Sequence, residues 1–387
     1  MFSRYNAITL WWNDIHKPTI YCVLCLITTG LLAIFSASYN IGNTLNVSDL
    51  YFFKKQIFFL IIAFCVFFWL SFQNNETILK LSLVGFAISV FMMMAVLTMS
   101  GRSVKGAERW LDLKVITLQP SEILKPFFIV ITAYLYYMFE KTKSFFFPLV
   151  QIGIYGIVVI LLFLQPDFGM VLTYTFITFV QIFFSKIKLK TIFYFTIPFI
   201  IVAVIGILSL SHVRTRIVQF IKGEKVYQTH LAYTAIKHGG ILGTGIGNGE
   251  VAKKIPDSHN DFIFSRIGEE MGSLYLMVIV IIFATLILSN IAYAKNEYLL
   301  YEKLQNGTNS FNKYQQEIVM NYYIIMLISA LIFFEMAVNV SVNLSLIPPK
   351  GMALPFISYG GSSIIAHALL IGILCIATRR KYRFLAL

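Results

Sequence analysis

Residues 258–288 read Ser258-His259-Asn260-Asp261-Phe262-Ile263-Phe264-Ser265-Arg266-Ile267-Gly268-Glu269-Glu270-Met271-Gly272-Ser273 and then Leu274-Tyr275-Leu276-Met277-Val278-Ile279-Val280-Ile281-Ile282-Phe283-Ala284-Thr285-Leu286-Ile287-Leu288. The second half carries no charge and belongs to an apolar run over 270–294. At about 1.5 Å per helical residue, such a run crosses the ~30 Å hydrocarbon core of a bilayer. Similar runs recur at 18–40, 54–72, 78–99, 120–139, 146–164, 167–185, 190–210, 320–344 and 359–378. The chain is 58% hydrophobic and 13% charged, with a mean hydropathy of +0.76, which excludes an ordinary soluble globule. Backbone groups in lipid must be satisfied within each segment, so the runs are helices. The expectation is an all-α polytopic membrane protein of about ten spans, a single unit over residues 1–387, with both termini on one side.

Short loops orient it. Lys141 and Lys143, Lys186, Lys188 and Lys190, the loop with Lys295, Lys303 and Lys313, and Arg379, Arg380, Lys381 and Arg383 fall on one side. The positive-inside rule makes that side cytoplasmic. The long polar loop of about 211–265, between spans seven and eight, is then external. It is itself basic, through Arg214, Arg216, Lys222, Lys225, Lys253 and Lys254. Long loops translocate with little regard to charge, and an anionic, phosphate-bearing substrate would give that basicity a use. The first apolar run is too long for a signal-peptide core and reads as an uncleaved span. Cys22, Cys25, Cys65 and Cys375 all sit in apolar runs, so no disulfide framework is implied.

Most chemistry-bearing residues cluster on the external side. Four of the six histidines (His212, His230, His238, His259) lie in the long loop, but their spacings match no compact metal-ligand set. No cofactor is required by these residues, and a divalent cation stays open. The glycine run Gly239-Gly240-Ile-Leu-Gly243-Thr-Gly245-Ile-Gly247-Asn-Gly249 lacks the strand that a dinucleotide motif needs. It suits close backbone approach to a ligand, or re-entrant turns. Asp261 stands at the membrane edge, where it either caps the next helix or, raised in pKa among aromatics, serves as a general base. Were that segment helical, Ser265 and Gly268 would share its face and Glu269 would be rotated about 80° away.

Further candidates flank the spans. Glu122 and Lys125, three residues apart, share a helical face and can neutralise each other in the membrane, lining a cavity or simply pairing. Ser121 reads as a cap. Gln165-Pro166-Asp167-Phe168-Gly169 reads as a tight turn capped by Asp167, with support of a nearby site second. The segment 343–363, with Pro348, Pro349 and Pro355 and Gly351, Gly360 and Gly361 around Lys350, cannot be a regular helix. Non-helical backbone at membrane depth must be buried in protein or line a cavity, which places this segment beside Asp261. Lys350 then either contacts phosphate or anchors at the membrane surface.

Taken in order, these strings resemble the shape, elongation, division and sporulation (SEDS) family of membrane glycosyltransferases over nearly the whole chain. They are Gly-Ala-x-Arg-Trp at 106–110, Gln-Pro-Ser-Glu at 119–122, Gln-Pro-Asp-x-Gly at 165–169, His-Asn-Asp-Phe-Ile-Phe at 259–264 and Pro-Phe-Ile-Ser-Tyr-Gly-Gly-Ser-Ser at 355–363. Pro-Pro-Lys-Gly at 348–351 resembles the division branch more than the elongation branch. The resemblance implies polymerisation of lipid II, with Asp261 as the base that deprotonates the acceptor sugar hydroxyl and undecaprenyl pyrophosphate as the leaving group. It implies substrate contacts from Arg109, Glu122, Lys125, Arg214, His259, Lys350, Ser358, Tyr359 and Ser362. It further implies a class B penicillin-binding protein as transpeptidase partner, other divisome membrane proteins, no nucleic acid, and an inner-membrane site at the division septum. Departures from the family pattern are Asn260 for a usual threonine, Leu231-Ala232 for Gln-Ser, Glu335 for a common glutamine, and a shortened loop between Arg216 and Tyr227. Two rival readings are a lipid II transporter, which usually carries internal repeats that this sequence lacks, and a scaffold that needs no acidic base.

Overall fold

The computed structural model describes residues 7–45, 50–98, 102–104, 107–112, 117–184, 227–305 and 313–379, with isolated positions at 204, 214, 215 and 218. The order is α1 (Ala7–Asp14), α2 (Lys17–Leu45), α3 (Tyr51–Ser71), α4 (Asn75–Thr98), β1 (Arg102–Val104), β2 (Ala107–Asp112), β3 (Thr117–Leu118), α5 (Pro120–Thr142), α6 (Phe146–Leu164), α7 (Phe168–Phe184), α8 (Tyr227–Gly239), a 3₁₀ turn (Ala252–Lys254), α9 (Ile263–Gln305), α10 (Lys313–Asn343) and α11 (Gly361–Ala377). Among the described residues, seven helices are long and apolar enough to cross a membrane, and α7 and α11 are shorter apolar helices. These nine match expected spans one to six and eight to ten. The seventh, at 190–210, lies outside the described residues.

α5 is the axis of the bundle. Leu124, Lys125, Phe128, Ile129 and Val130 are all buried, and the helix packs on α4, α6, α7, α10 and α11. Pro120 occupies its first turn, where a missing N–H costs nothing. By contrast α3 and α4 turn Phe58, Ile61, Phe64, Leu83 and Phe91 outward, as helices facing lipid do.

Two features of the end of the bundle that carries Asp261 differ from the helix-and-loop expectation. The stretch after α4 folds as a small antiparallel sheet in the order β1-β2-β3, with Leu111 opposite Leu118 and Asp112 opposite Thr117. It carries Arg109 on β2. The second feature is the segment between α10 and α11, which enters the bundle. Gly30 of α2 meets it so closely that a Cβ there would lie 2.7 Å from the Ile357 carbonyl oxygen. Gly30 stands about 20 Å along α2 from Lys17, at about 1.5 Å per residue. The segment therefore packs well within the length of α2 rather than at its end, and α11 begins only after it, at Gly361.

Candidate active site

The first turns of α5, α7 and α11, Glu335 of α10, residues 257–262 and residues 347–353 enclose a cavity of about 650 Å³. Among the expected site residues, Arg109, Glu122, Lys125, Asp261 and Lys350 line it. Asp261 lies in a turn just before α9 begins at Ile263, so the helical-face argument does not apply to it. Its main chain is fixed: the Asn339 and Asn343 side-chain amides donate to its carbonyl at 2.9 and 3.1 Å. Gly351 runs beside its carboxylate, and a Cβ there would lie 3.4 Å from Oδ2. Glu269 points away from Asp261 because other partners hold it, not because of a shared helix. It is fully buried and accepts from the Val251 and Ala252 N–H groups at 2.9 and 2.6 Å, with His238 Nδ1 at 2.8 Å.

The floor of the cavity is a chain of buried charges. Lys125 Nζ sits 2.6 Å from Glu122 Oε2 and 2.5 Å from Glu335 Oε1. Glu335 Oε2 is 2.9 Å from His367 Nε2, and His367 Nδ1 faces the Ser363 carbonyl at 2.7 Å. The expected Glu122–Lys125 pair is therefore real but incomplete, because a second carboxylate shares the lysine. Glu335 and His367 are functional candidates that the sequence reading did not select. A glutamate and a histidine inside apolar spans were the available signal.

The upper wall carries cations and further acids. Arg109 Nε donates to the Gln165 carbonyl at 3.2 Å, its Nη2 donates to the Pro166 carbonyl, and Nη1 lies 3.6 Å from Asp167 Oδ1. Asp167 also accepts from Gln119 Nε2 at 3.1 Å and from the Met170 N–H at 3.3 Å. It thus caps α7 and braces Arg109 at once. Lys350 is largely buried, with Nζ 5.6 Å from the centre of the Phe334 ring. Burial pushes its ammonium down to about 8, with Asp167 opposing the shift. Asp257, also unselected, lines the cavity from a left-handed backbone conformation with φ of 59°. A single acid between Pro256 and Ser258 carries no local signal that separates it from an ordinary turn residue.

The remaining candidates stand behind the wall. His259 packs against Phe52 and Tyr359, with ring centres 4.5 and 5.4 Å apart, and burial lowers it to about 4, so it is neutral at neutral pH. Ser358 Oγ donates to the Asn260 carbonyl at 2.7 Å, and the Tyr359 N–H donates to the His259 carbonyl at 3.0 Å. Ser362 Oγ accepts from the Gln119 N–H at 2.9 Å. All four brace the segments that carry Asp261 and Gln119. Arg214 is exposed, and most of the loop around it lies outside the described residues. Among the described residues, no three of His, Cys, Asp and Glu come together as a metal-ligand set.

This arrangement defines a polytopic helical membrane protein with a charged cavity at one end of its bundle. The chain belongs to the FtsW/RodA/SpoVE family, described as "Cell cycle protein", which it matches over residues 17–383. It is 28% identical over 390 residues to a probable peptidoglycan glycosyltransferase FtsW of Caulobacter vibrioides, covering 98% of this chain and 94% of that one. It is 31% identical over 376 residues to the probable peptidoglycan glycosyltransferase FtsW of Buchnera aphidicola subsp. Baizongia pistaciae, covering 92% of each. Its fold resembles a chain from a study of how a peptidoglycan synthase complex coordinates polymerization and crosslinking, with a TM-score of 0.70 at 20% identity over 95% of this chain and 99% of that one. It also resembles the rod shape determining protein RodA of Thermus thermophilus, with a TM-score of 0.67 at 20% identity over 96% of this chain and 99% of that one.

Proposed function

We propose that this protein polymerises lipid II into glycan strands at the external face of the cytoplasmic membrane, in the division branch of its family. The observation that carries the reading is the meeting of Asp261 with Arg109 and Lys350 around one cavity that reaches into the membrane. Asp261 removes the proton from the acceptor sugar's 4-hydroxyl as that oxygen attacks the donor's anomeric carbon. The bond from that carbon to the lipid pyrophosphate breaks, and the pyrophosphate leaves as an anion. Arg109 and Lys350 hold that charge, since cation-assisted contacts to phosphate are the strong ones. An inverting displacement needs one base and no covalent sugar–enzyme intermediate. The lipid tail enters sideways from the bilayer. Termini in the cytoplasm, a place at the septum, and work beside a class B penicillin-binding protein complete the reading. The partner is supported by the fold shared with a chain from the study of coordinated polymerization and crosslinking.

The test is polymerisation of labelled lipid II by the purified chain with its cognate class B partner, wild type beside Asp261→Asn. Polymer from the wild type alone supports the reading. Equal polymer from both removes Asp261 from the base role, and lipid II crossing liposomes without polymer would favour a transporter.

A further inference from the structure

The glycine run 239–249, an external loop in sequence, has the properties of a membrane-embedded turn. It leaves α8 and presses against α9 where that helix breaks at Gly272, with φ of 85° and ψ of 166°. A Cβ on Gly272 would lie 2.2 Å from the Ile241 carbonyl oxygen, so only glycine allows the approach. The Ser273 and Leu274 N–H groups donate to the Gly240 and Ile241 carbonyls at 2.9 and 3.3 Å. In return the Thr244 and Gly245 N–H groups donate to the Glu269 and Glu270 carbonyls at 2.9 and 3.0 Å. The break in α9 and the irregular turn thus satisfy each other's backbone, which is the condition for non-helical chain at membrane depth.

The side chains of the turn face outward. Ile241 is 71% exposed, Leu242 81% and Ile246 54%. Water would penalise such a cluster. The cluster continues the outward apolar face of α9, where Leu274, Met277 and Ile281 are also exposed. Depth agrees. Ser36, which donates to the Glu270 carboxylate, stands about 28 Å along α2 from Lys17 at about 1.5 Å per residue. That level is the outer edge of a ~30 Å core, and Ile241 pairs just below it. One α8 turn earlier, the Lys237 ammonium lies 4.9 Å from the centre of the exposed Tyr233 ring, the residue types that mark headgroup level.

We propose that the turn 240–246 is a lipid anchor, seating Ile241, Leu242 and Ile246 among the acyl chains of the outer leaflet. Through the Glu269 and Glu270 carbonyls and the Glu269 carboxylate on Val251 and Ala252, the anchor sets the height of the start of α9, and so of Asp261, above the bilayer.

The experiment places a nitroxide at Leu242→Cys in the full chain made otherwise cysteine-free, reconstituted in phosphatidylcholine–phosphatidylglycerol nanodiscs. Collision with oxygen, which concentrates in lipid, is compared with collision with a water-soluble nickel chelate. Asn248→Cys, exposed on the same loop, is the aqueous reference. The anchor requires oxygen to exceed nickel several-fold at 242 and the order to reverse at 248, with Ile246→Cys following 242. Equal nickel access at 242 and 248 overturns the proposal. Low access to both reagents at 242 overturns it too, because protein rather than lipid then covers the turn. Each outcome is independent of whether the chain polymerises lipid II.

Discussion

Two clusters of buried charge lie on α-helices of this bundle, and they differ in one respect. Arg266 pairs with Glu270 at 3.0 Å and donates to the Ser36 carbonyl at 3.1 Å. Arg266 is fully buried, and no residue of that trio lines the cavity. The other cluster, Glu122–Lys125–Glu335–His367, forms the cavity floor. Burial of charge inside a membrane protein therefore does not by itself mark a site. The first cluster is a lock between α2 and α9 in which each charge needs its partner. The second opens onto a space that water or substrate can fill, and its charges can be spent on a ligand.

The comparison predicts its largest effect at the closed cluster. Arg266→Met leaves the Glu270 carboxylate buried and uncompensated, and unfolding in nanodiscs should show a loss of about 3–5 kcal/mol, mostly recovered by the Arg266→Met/Glu270→Met pair. Lys125→Met should cost less, about 1–3 kcal/mol, because the cavity can admit water to both carboxylates. It should nonetheless abolish polymer formation while lipid II loading falls. Equal stability losses at Arg266 and Lys125 would erase the distinction drawn between the clusters.

A smaller effect sharpens the role of the cations above the floor. The Lys350 ammonium, lowered to about 8, is charged below that pH and neutral above it. Affinity for a pyrophosphate lipid should therefore fall several-fold as pH rises through about 8, and Lys350→Arg, which keeps its charge, should flatten that limb. Titration of binding in nanodiscs measures it. The smallest effect is at His259, which braces the wall without lining it. Its folded pKa of about 4 lies below the ordinary 6.5, so as pH falls from 6.5 the unfolded chain gains a proton that the folded chain refuses until about 4. Stability is lost across that window. His259→Phe should remove this acid limb and change stability near neutral pH by no more than about 1 kcal/mol, read from unfolding midpoints against pH.

The spans were legible because the length of an apolar run answers directly to bilayer thickness. Asp261 and the Glu122–Lys125 pair were legible for a related reason: a charge at the edge or inside of such a run is conspicuous. Glu335 was noticed only as a departure from a family pattern, and its bond to Lys125 spans a separation that no local spacing reveals. His259, Ser358, Tyr359 and Ser362 carry the chemistry of a site but spend it on neighbouring backbone and rings, which sequence cannot distinguish from substrate contact. The sheet over 102–118 was hidden because its strands are too short to show alternation. The glycine run was legible as a place of close backbone approach, but its partner, the break at Gly272, lies on a different element that no local spacing reveals.

The most direct test of the central claim separates binding from chemistry at Asp261. Lipid II affinity in nanodiscs and the polymerisation rate with the class B partner are measured side by side for wild type and Asp261→Asn. The account predicts near-equal affinity and a rate lower by about 10²–10⁴-fold, the contribution of a positioned general base. Polymer made by Asp261→Asn at the wild-type rate would contradict it.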